Sequence, residues 1–128
     1  SIKTSADMLS QAFQVLIKNA VEAIQERGRD VKRQRNGAAS VWDGGKLRIR
    51  SSLDPDVGIQ VWIYDNGMGI RPEYISKIFD IGWTSKASGM GFGLFWTKDY
   101  VQGLGGRIRV ESVWQEGTVF HICLPPAR

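Results

Sequence analysis

One segment restricts the folding options more than any other. An alternating apolar run, Ile59-Gln60-Val61-Trp62-Ile63-Tyr64, exits directly into Asp65-Asn66-Gly67-Met68-Gly69-Ile70. Alternation of this kind marks a strand with one face buried. An acid at the strand exit, followed by two alternate glycines, leaves a carboxylate beside backbone that carries no Cβ. Such a corner suits a flat, hydrogen-bonding ligand, although Asp-Asn-Gly is also an ordinary turn signal.

The flanking segments decide what kind of sheet this strand joins. Leu9, Ala12, Phe13, Leu16, Ile17, Ala20, Ala23 and Ile24 recur with a 3.6-residue period, which predicts a helix from about Asp7 to Arg27. Ser5 or Asp7 can cap its start and Gly28 can end it. Residues 28 to 45 are polar, basic and glycine-bearing and read as a long loop. Lys46 to Ser52 alternates and pairs with Gly58 to Tyr64 across the turn Asp54-Pro55-Asp56. Pro72 opens a short helix through Phe79, where its missing N–H costs nothing. A second helix is expected from about Gly91 to Gly103, and Arg107 to Val113 and Thr118 to Leu124 form a closing hairpin. This order is not the regular alternation of a doubly wound fold. It predicts an α+β two-layer sandwich, a mixed and mostly antiparallel sheet with helices on one face.

At 128 residues the chain is expected to form a single domain. No apolar run approaches the length needed to span a bilayer, and Ser1-Ile2-Lys3-Thr4 lacks the apolar stretch of a signal peptide. Ser1 to Ser5 is too short for a full first strand, so a domain excised from a longer chain is expected. The lone Cys123, in an apolar alternation, is expected to be a buried strand residue, and one cysteine fits a reducing, cytoplasmic setting. The net charge of +4 traces to Arg27, Arg29, Lys32, Arg33 and Arg35. No aromatic residue interleaves with that run, so it is read as a solvated loop rather than a nucleic-acid surface.

Gly89-Met90-Gly91-Phe92-Gly93-Leu94 precedes the second helix, so free N–H groups and a helix dipole converge there, as at a phosphate site. A dinucleotide fingerprint would demand a strand before the first glycine. Trp83 to Ser88 does not alternate, and no Walker-type Gly-Lys-Ser/Thr ending follows. Five segments together, in order and spacing, resemble the nucleotide-binding domain of sensor histidine kinases. That domain belongs to the Bergerat-type ATPase family shared with type II topoisomerases, mismatch-repair ATPases and certain chaperones. Asn19-Ala20-Val21-Glu22-Ala23 is similar to the N box, Asp65 to Gly69 to the first glycine box and Gly89 to Leu94 to the second. Ile78-Phe79-Asp80 with Thr84-Ser85-Lys86 looks like the F box and the start of the lid, and Gly117-Thr118-Val119-Phe120 completes the set. The resemblance covers about Asp7 to Pro125.

The resemblance implies a domain that binds ATP and Mg²⁺. It would donate the γ-phosphoryl group to a histidine on a separate dimerisation domain, upstream of a response regulator, with no nucleic-acid or membrane contact of its own. The ATP contacts it implies are Asn19, Asp65, Gly67, Gly69, Ile70, Thr84, Ser85, Lys86, Gly89, Gly91, Gly93, Leu94 and Thr118. Asp65 would accept from the exocyclic amine of adenine, and guanine, with a carbonyl there, would be repelled. Asn19 would ligate Mg²⁺, a hard cation that keeps most of its waters; its other reading is a satisfied core asparagine. Lys86 would offset γ-phosphate charge, or is a solvated loop lysine. Thr118 would place a hydroxyl near the acid, or is an ordinary β-branched strand residue. Phe79 and Trp83 are expected to anchor the near end of a lid spanning residues 80 to 90. Trp96 and Tyr100, at helical spacing, are expected to belong to the core, and Phe92 likewise.

Two departures stand out. The position one helical turn before Asn19 is Val15, where the family carries a second polar residue; valine neither ligates Mg²⁺ nor accepts a proton. Gln14 points about 100° away and is no substitute. The only histidine, His121, lies inside the last strand and is read as structural. The chain thus resembles a phosphoryl donor without its acceptor, and a degenerate nucleotide-sensing domain is the alternative reading.

Overall fold

The computed structural model describes residues 2–34, 42–84 and 93–126. A long helix, α1 (Ile2–Arg33), is followed by strands β1 (Leu47–Asp54) and β2 (Gly58–Asp65) and a 3-10 turn (Pro72–Lys77). Helix α2 (Gly93–Gly103) and strands β3 (Arg107–Val113) and β4 (Gly117–Leu124) complete the fold. The strands form one sheet in the order β1-β2-β4-β3, and every pairing among the described residues is antiparallel. The expected α+β sandwich is present, with α1 and α2 packed on one face of the sheet.

Alternation sets the two faces. Val61 and Ile63 on β2, Phe120 and Ile122 on β4 and Ile108 on β3 point inward and meet Leu16 of α1 and Val101 of α2 in the core. Leu16 and Val101 are fully buried. The register aligns Ile63 with Phe120 and Val110 with the same Phe120, so the inner face is built in cross-strand rows. Strand β1 lies at the edge and is exposed along its length, because the helices do not cover it.

On the outer face, Trp62 and His121, directly opposite on β2 and β4, stack with ring centroids 4.8 Å apart. His121 Nε2 lies 2.9 Å from Gln60 Oε1, the structural role read from sequence. Burial, followed by the charges of Arg109 and Arg107, holds the imidazole pKa below its ordinary value. Cys123 is only half-buried, because its alternation places it on this outer face with Gln60 and Arg107 rather than in the core.

Helix α1 departs most from expectation. It does not stop at Gly28 but runs on to Arg33, so Arg29, Lys32 and Arg33 are helical rather than part of a loop. A Cβ on Gly28 would sit 3.8 Å from the Trp42 ring. That glycine therefore lies under an indole at ordinary contact distance and does not terminate the helix. Lys32 and Arg33 fall in the last turn, where cations favour the helix dipole. Trp96 and Tyr100 stack on each other at 5.5 Å and are half-buried outside the core cluster rather than within it. Phe79 does reach the core, edge-on to Phe120 at 6.4 Å, and Trp83 packs beside Tyr74.

Candidate functional site

The site is organised by a stripe on α1. Val15, Asn19, Ala23 and Arg27 are spaced four residues apart and share one face. Each position faces a different part of the fold. Val15 meets the start of α2: a Cβ on Gly93 would lie 3.1 Å from Val15 Cγ1. Ala23 meets the glycine turn after β2: a Cβ on Gly67 would lie 2.6 Å from the Ala23 carbonyl carbon, and Met68 N–H donates to Ala23 O at 3.0 Å. Arg27 reaches past that turn to the β3–β4 hairpin. The helix N-terminus and the glycine turn thus meet α1 two turns apart, about 12 Å along the axis. An extended nucleoside triphosphate spans a gap of that scale, and Asn19 lies between the two ends.

The acid sits at the turn end. Asp65 is 9% exposed, and its Oδ1 accepts from Gly67 N–H at 2.8 Å. Burial pushes its carboxyl up to about 6, and the Gly67 hydrogen bond opposes the shift. Asp65 pairs directly with Thr118 on β4, so the two side chains lie side by side on the inner face. Thr118 is itself buried, and its hydroxyl lies 2.8 Å from Ser112 Oγ.

Glycine is required at two points here. Gly69 has φ of 77°, and a Cβ would stand 2.3 Å from Val113 O. Gly117 has φ of 150°, and a Cβ would stand 2.2 Å from Asp65 O. Both keep the hairpin pressed onto the turn.

Of the residues singled out by sequence, the structure brings Asp65, Gly67, Gly69 and Thr118 together around the turn. Gly93 lies at the α2 end, and Asn19 lies between the two. Asn19 is half-buried, and its amide makes no hydrogen bond to another described residue. Ile70 donates its N–H to Ser112 Oγ at 2.8 Å, and Leu94 packs against the core cluster. Ser85, Lys86, Gly89, Gly91 and Phe92 lie outside the described residues, as does most of the expected lid. A cleft of about 840 Å³ opens beside the glycine turn, lined in part by Glu22, Arg29, Gly69, Ile70, Thr84 and Trp114. Gly69, Ile70 and Thr84 are thus shared with the sequence-derived set, whereas Asp65 and Asn19 do not line it.

Three contributors escaped the sequence reading. Ser112 joins Ile70, Gly117 and Thr118 through one hydroxyl. Its inward position after Ile108 and Val110 on an alternating strand was an available signal. Arg27 and Trp42 both hydrogen-bond the Asn66 carbonyl. Nothing in their local sequence indicates that, because the partners lie 39 and 24 residues away.

Comparison with known proteins identifies the family and the fold. The family profile described as "Histidine kinase-, DNA gyrase B-, and HSP90-like ATPase" matches residues 4–128. The chain is 33% identical over 124 residues to the signal transduction histidine-protein kinase AtoS of Escherichia coli, covering 97% of this chain and 18% of that protein. It is 35% identical over 122 residues to the sensory histidine kinase/phosphatase NtrB of Azospirillum brasilense, covering 93% of this chain and 29% of that one. The chain therefore spans less than a third of either curated relative. Among solved structures, a catalytic domain of the histidine kinase ThkA in nucleotide-free form superposes with a TM-score of 0.68 at 26% identity, covering 93% of this chain and 66% of that one. The mycobacterial sensor histidine kinase MprB shares the fold with a TM-score of 0.70 at 24% identity, covering 93% of this chain and 72% of that one.

Proposed function

The chain belongs to the histidine kinase-, DNA gyrase B- and HSP90-like ATPase family, and from that premise we propose that it binds Mg-ATP as the catalytic domain of a sensor histidine kinase. It passes the γ-phosphoryl group to a histidine on a separate dimerisation domain, from which a response regulator is served. The observation that carries this reading is the buried Asp65 carboxylate at a glycine turn, opposite Thr118 and two helical turns from the α2 N-terminus.

Asp65 accepts from the adenine amine in a pocket whose burial strengthens that bond. Gly67 and Gly69 seat the turn that carries the acid against Ala23 and Val113 rather than opening space for the ring, and the N–H groups opening α2 receive phosphate oxygens. Asn19 offers a half-buried amide oxygen between these ends, which fits a magnesium ion that needs few protein ligands. Held by Asn19, the ion would supply positive charge that offsets the charge of the phosphates. Lys86, with Thr84 and Ser85, supplies the lid side of the phosphate site and the cation that stabilises transfer. His121 is held by Gln60 and stacked on Trp62, so the phosphoryl acceptor comes from the partner domain. Val15 supplies no group to activate water, which disfavours hydrolysis but not transfer to an imidazole.

Calorimetric titration with a non-hydrolysable ATP analogue and Mg²⁺ tests this. Asp65→Asn turns an accepting oxygen into a donor and should cost about 1.5–3 kcal/mol, roughly ten- to a hundredfold in affinity. Equal affinity of the two chains would overturn base recognition by Asp65. Val15 favours a second reading, a nucleotide sensor without efficient transfer. Mixing the chain with the dimerisation domain of its parent protein separates the two: ATP binding without phosphohistidine formation favours the sensor.

A further inference from the structure

We infer that Arg27 is a positioning residue for adenine recognition: its guanidinium aligns the two turns that frame Asp65. This inference rests on the nucleotide-binding reading above.

Arg27 Nη1 donates to Asn66 O at 2.9 Å and to Glu116 O at 3.0 Å. Asn66 directly follows the acid, and Glu116 directly precedes Gly117 and Thr118, the residues that abut Asp65 from β4. One cation on α1 therefore spans the ends of both strands that build the base pocket. The Asn66 carbonyl is saturated by a second donor, Trp42 Nε1, at 3.0 Å, and the Arg27 guanidinium lies 5.5 Å from the Trp42 ring centre. The Asn66 side chain is gripped from the segment before β1: its Oδ1 accepts from Lys46 N–H at 2.7 Å and its Nδ2 donates to Gly44 O at 2.9 Å.

The distribution of these bonds is the argument. The residue beside the acid is fixed by five hydrogen bonds from α1 and the segment before β1, counting both donors to its carbonyl and its own N–H to Lys46 O. The Asp65 carboxylate itself accepts from Gly67 N–H, which leaves it further acceptor capacity for a ligand. Beyond that one bond its direction is set through Asn66, and Arg27 is the only one of these groups that also holds the opposite strand among the described residues. Displacing a recognition group by about 1 Å costs up to a hundredfold in productive geometry.

The experiment measures ADP and GDP binding to the unmodified chain and to Arg27→Ala, Arg27→Lys and Trp42→Phe, at a temperature where circular dichroism shows each folded. Arg27→Ala is expected to weaken ADP binding about tenfold and to shrink the ADP-to-GDP affinity ratio. Arg27→Lys should restore part of that ratio, since one ammonium can still reach a carbonyl. Trp42→Phe keeps the ring and loses the indole N–H, so a smaller drop in the ratio is expected. A stability defect alone lowers both affinities together and leaves their ratio unchanged. An unchanged ratio in Arg27→Ala, or in Trp42→Phe should the former fail to fold, overturns the inference while the nucleotide reading stands. Failure of the unmodified chain to bind ADP overturns that reading instead.

Discussion

Nucleotide affinity should depend on pH through one buried carboxyl. Asp65 is pushed up to about 6 because burial penalises its charged form more than the Gly67 N–H stabilises it. Only the ionised form accepts from the adenine amine without itself donating. Its population is about nine-tenths at pH 7 and about one-tenth at pH 5, so adenine-nucleotide affinity should fall about tenfold between them. Binding at pH 6 should expel about half a proton, visible as a dependence of calorimetric heat on buffer ionisation enthalpy. Nucleotide phosphates also gain protons in this range, so the same titration on Asp65→Asn provides the baseline. For folding alone the sign is opposite. The folded-state pKa is raised, so the native state holds more protons between pH 3.8 and about 6. The contribution of this group to stability is present below that window and is lost as pH rises through it. The rise in midpoint temperature caused by a saturating nucleotide should therefore grow from pH 5 to pH 7. Parallel pH profiles for the parent and Asp65→Asn chains would refute the assignment.

Two further outcomes follow from packing. Gly69→Ala forces a side chain into the left-handed region and onto Val113 O, and should destabilise by at least about 1–3 kcal/mol, read as a lower urea midpoint. Leu16→Ala empties a fully buried position in the α1 contact with the sheet and should cost about 2–5 kcal/mol with an unchanged denaturant slope.

Most of the architecture is local information. Alternation at Gly58–Asp65 and Arg107–Val113 reports a sheet with one dry face. The turn at Asp54 is written in its own chemistry, since Asp54 Oδ1 accepts from Asp56 and Val57 N–H. The acid-bearing glycine turn after β2 is legible for the same reason: backbone without Cβ beside a carboxylate is visible in six consecutive residues.

What escaped prediction depends on contacts remote in sequence. A glycine at position 28 is a fair stop signal, but the Trp42 ring covers the helix there and α1 continues. The basic run then becomes two helical turns, and Arg27 acquires carbonyl partners from two other elements. The chain's order of residues determined by itself the helix and strand segments, the inward faces of β2 and β3 and the chemistry of the Asp65 turn, because dihedral preference and side-chain period act over a few residues. Only the tertiary structure decided that Thr118 lies opposite Asp65, that α2 and the glycine turn meet α1 two turns apart, and that Arg27 joins both turns. Strand register and helix placement are chosen by burying the whole core at once, and no short window of sequence contains that sum.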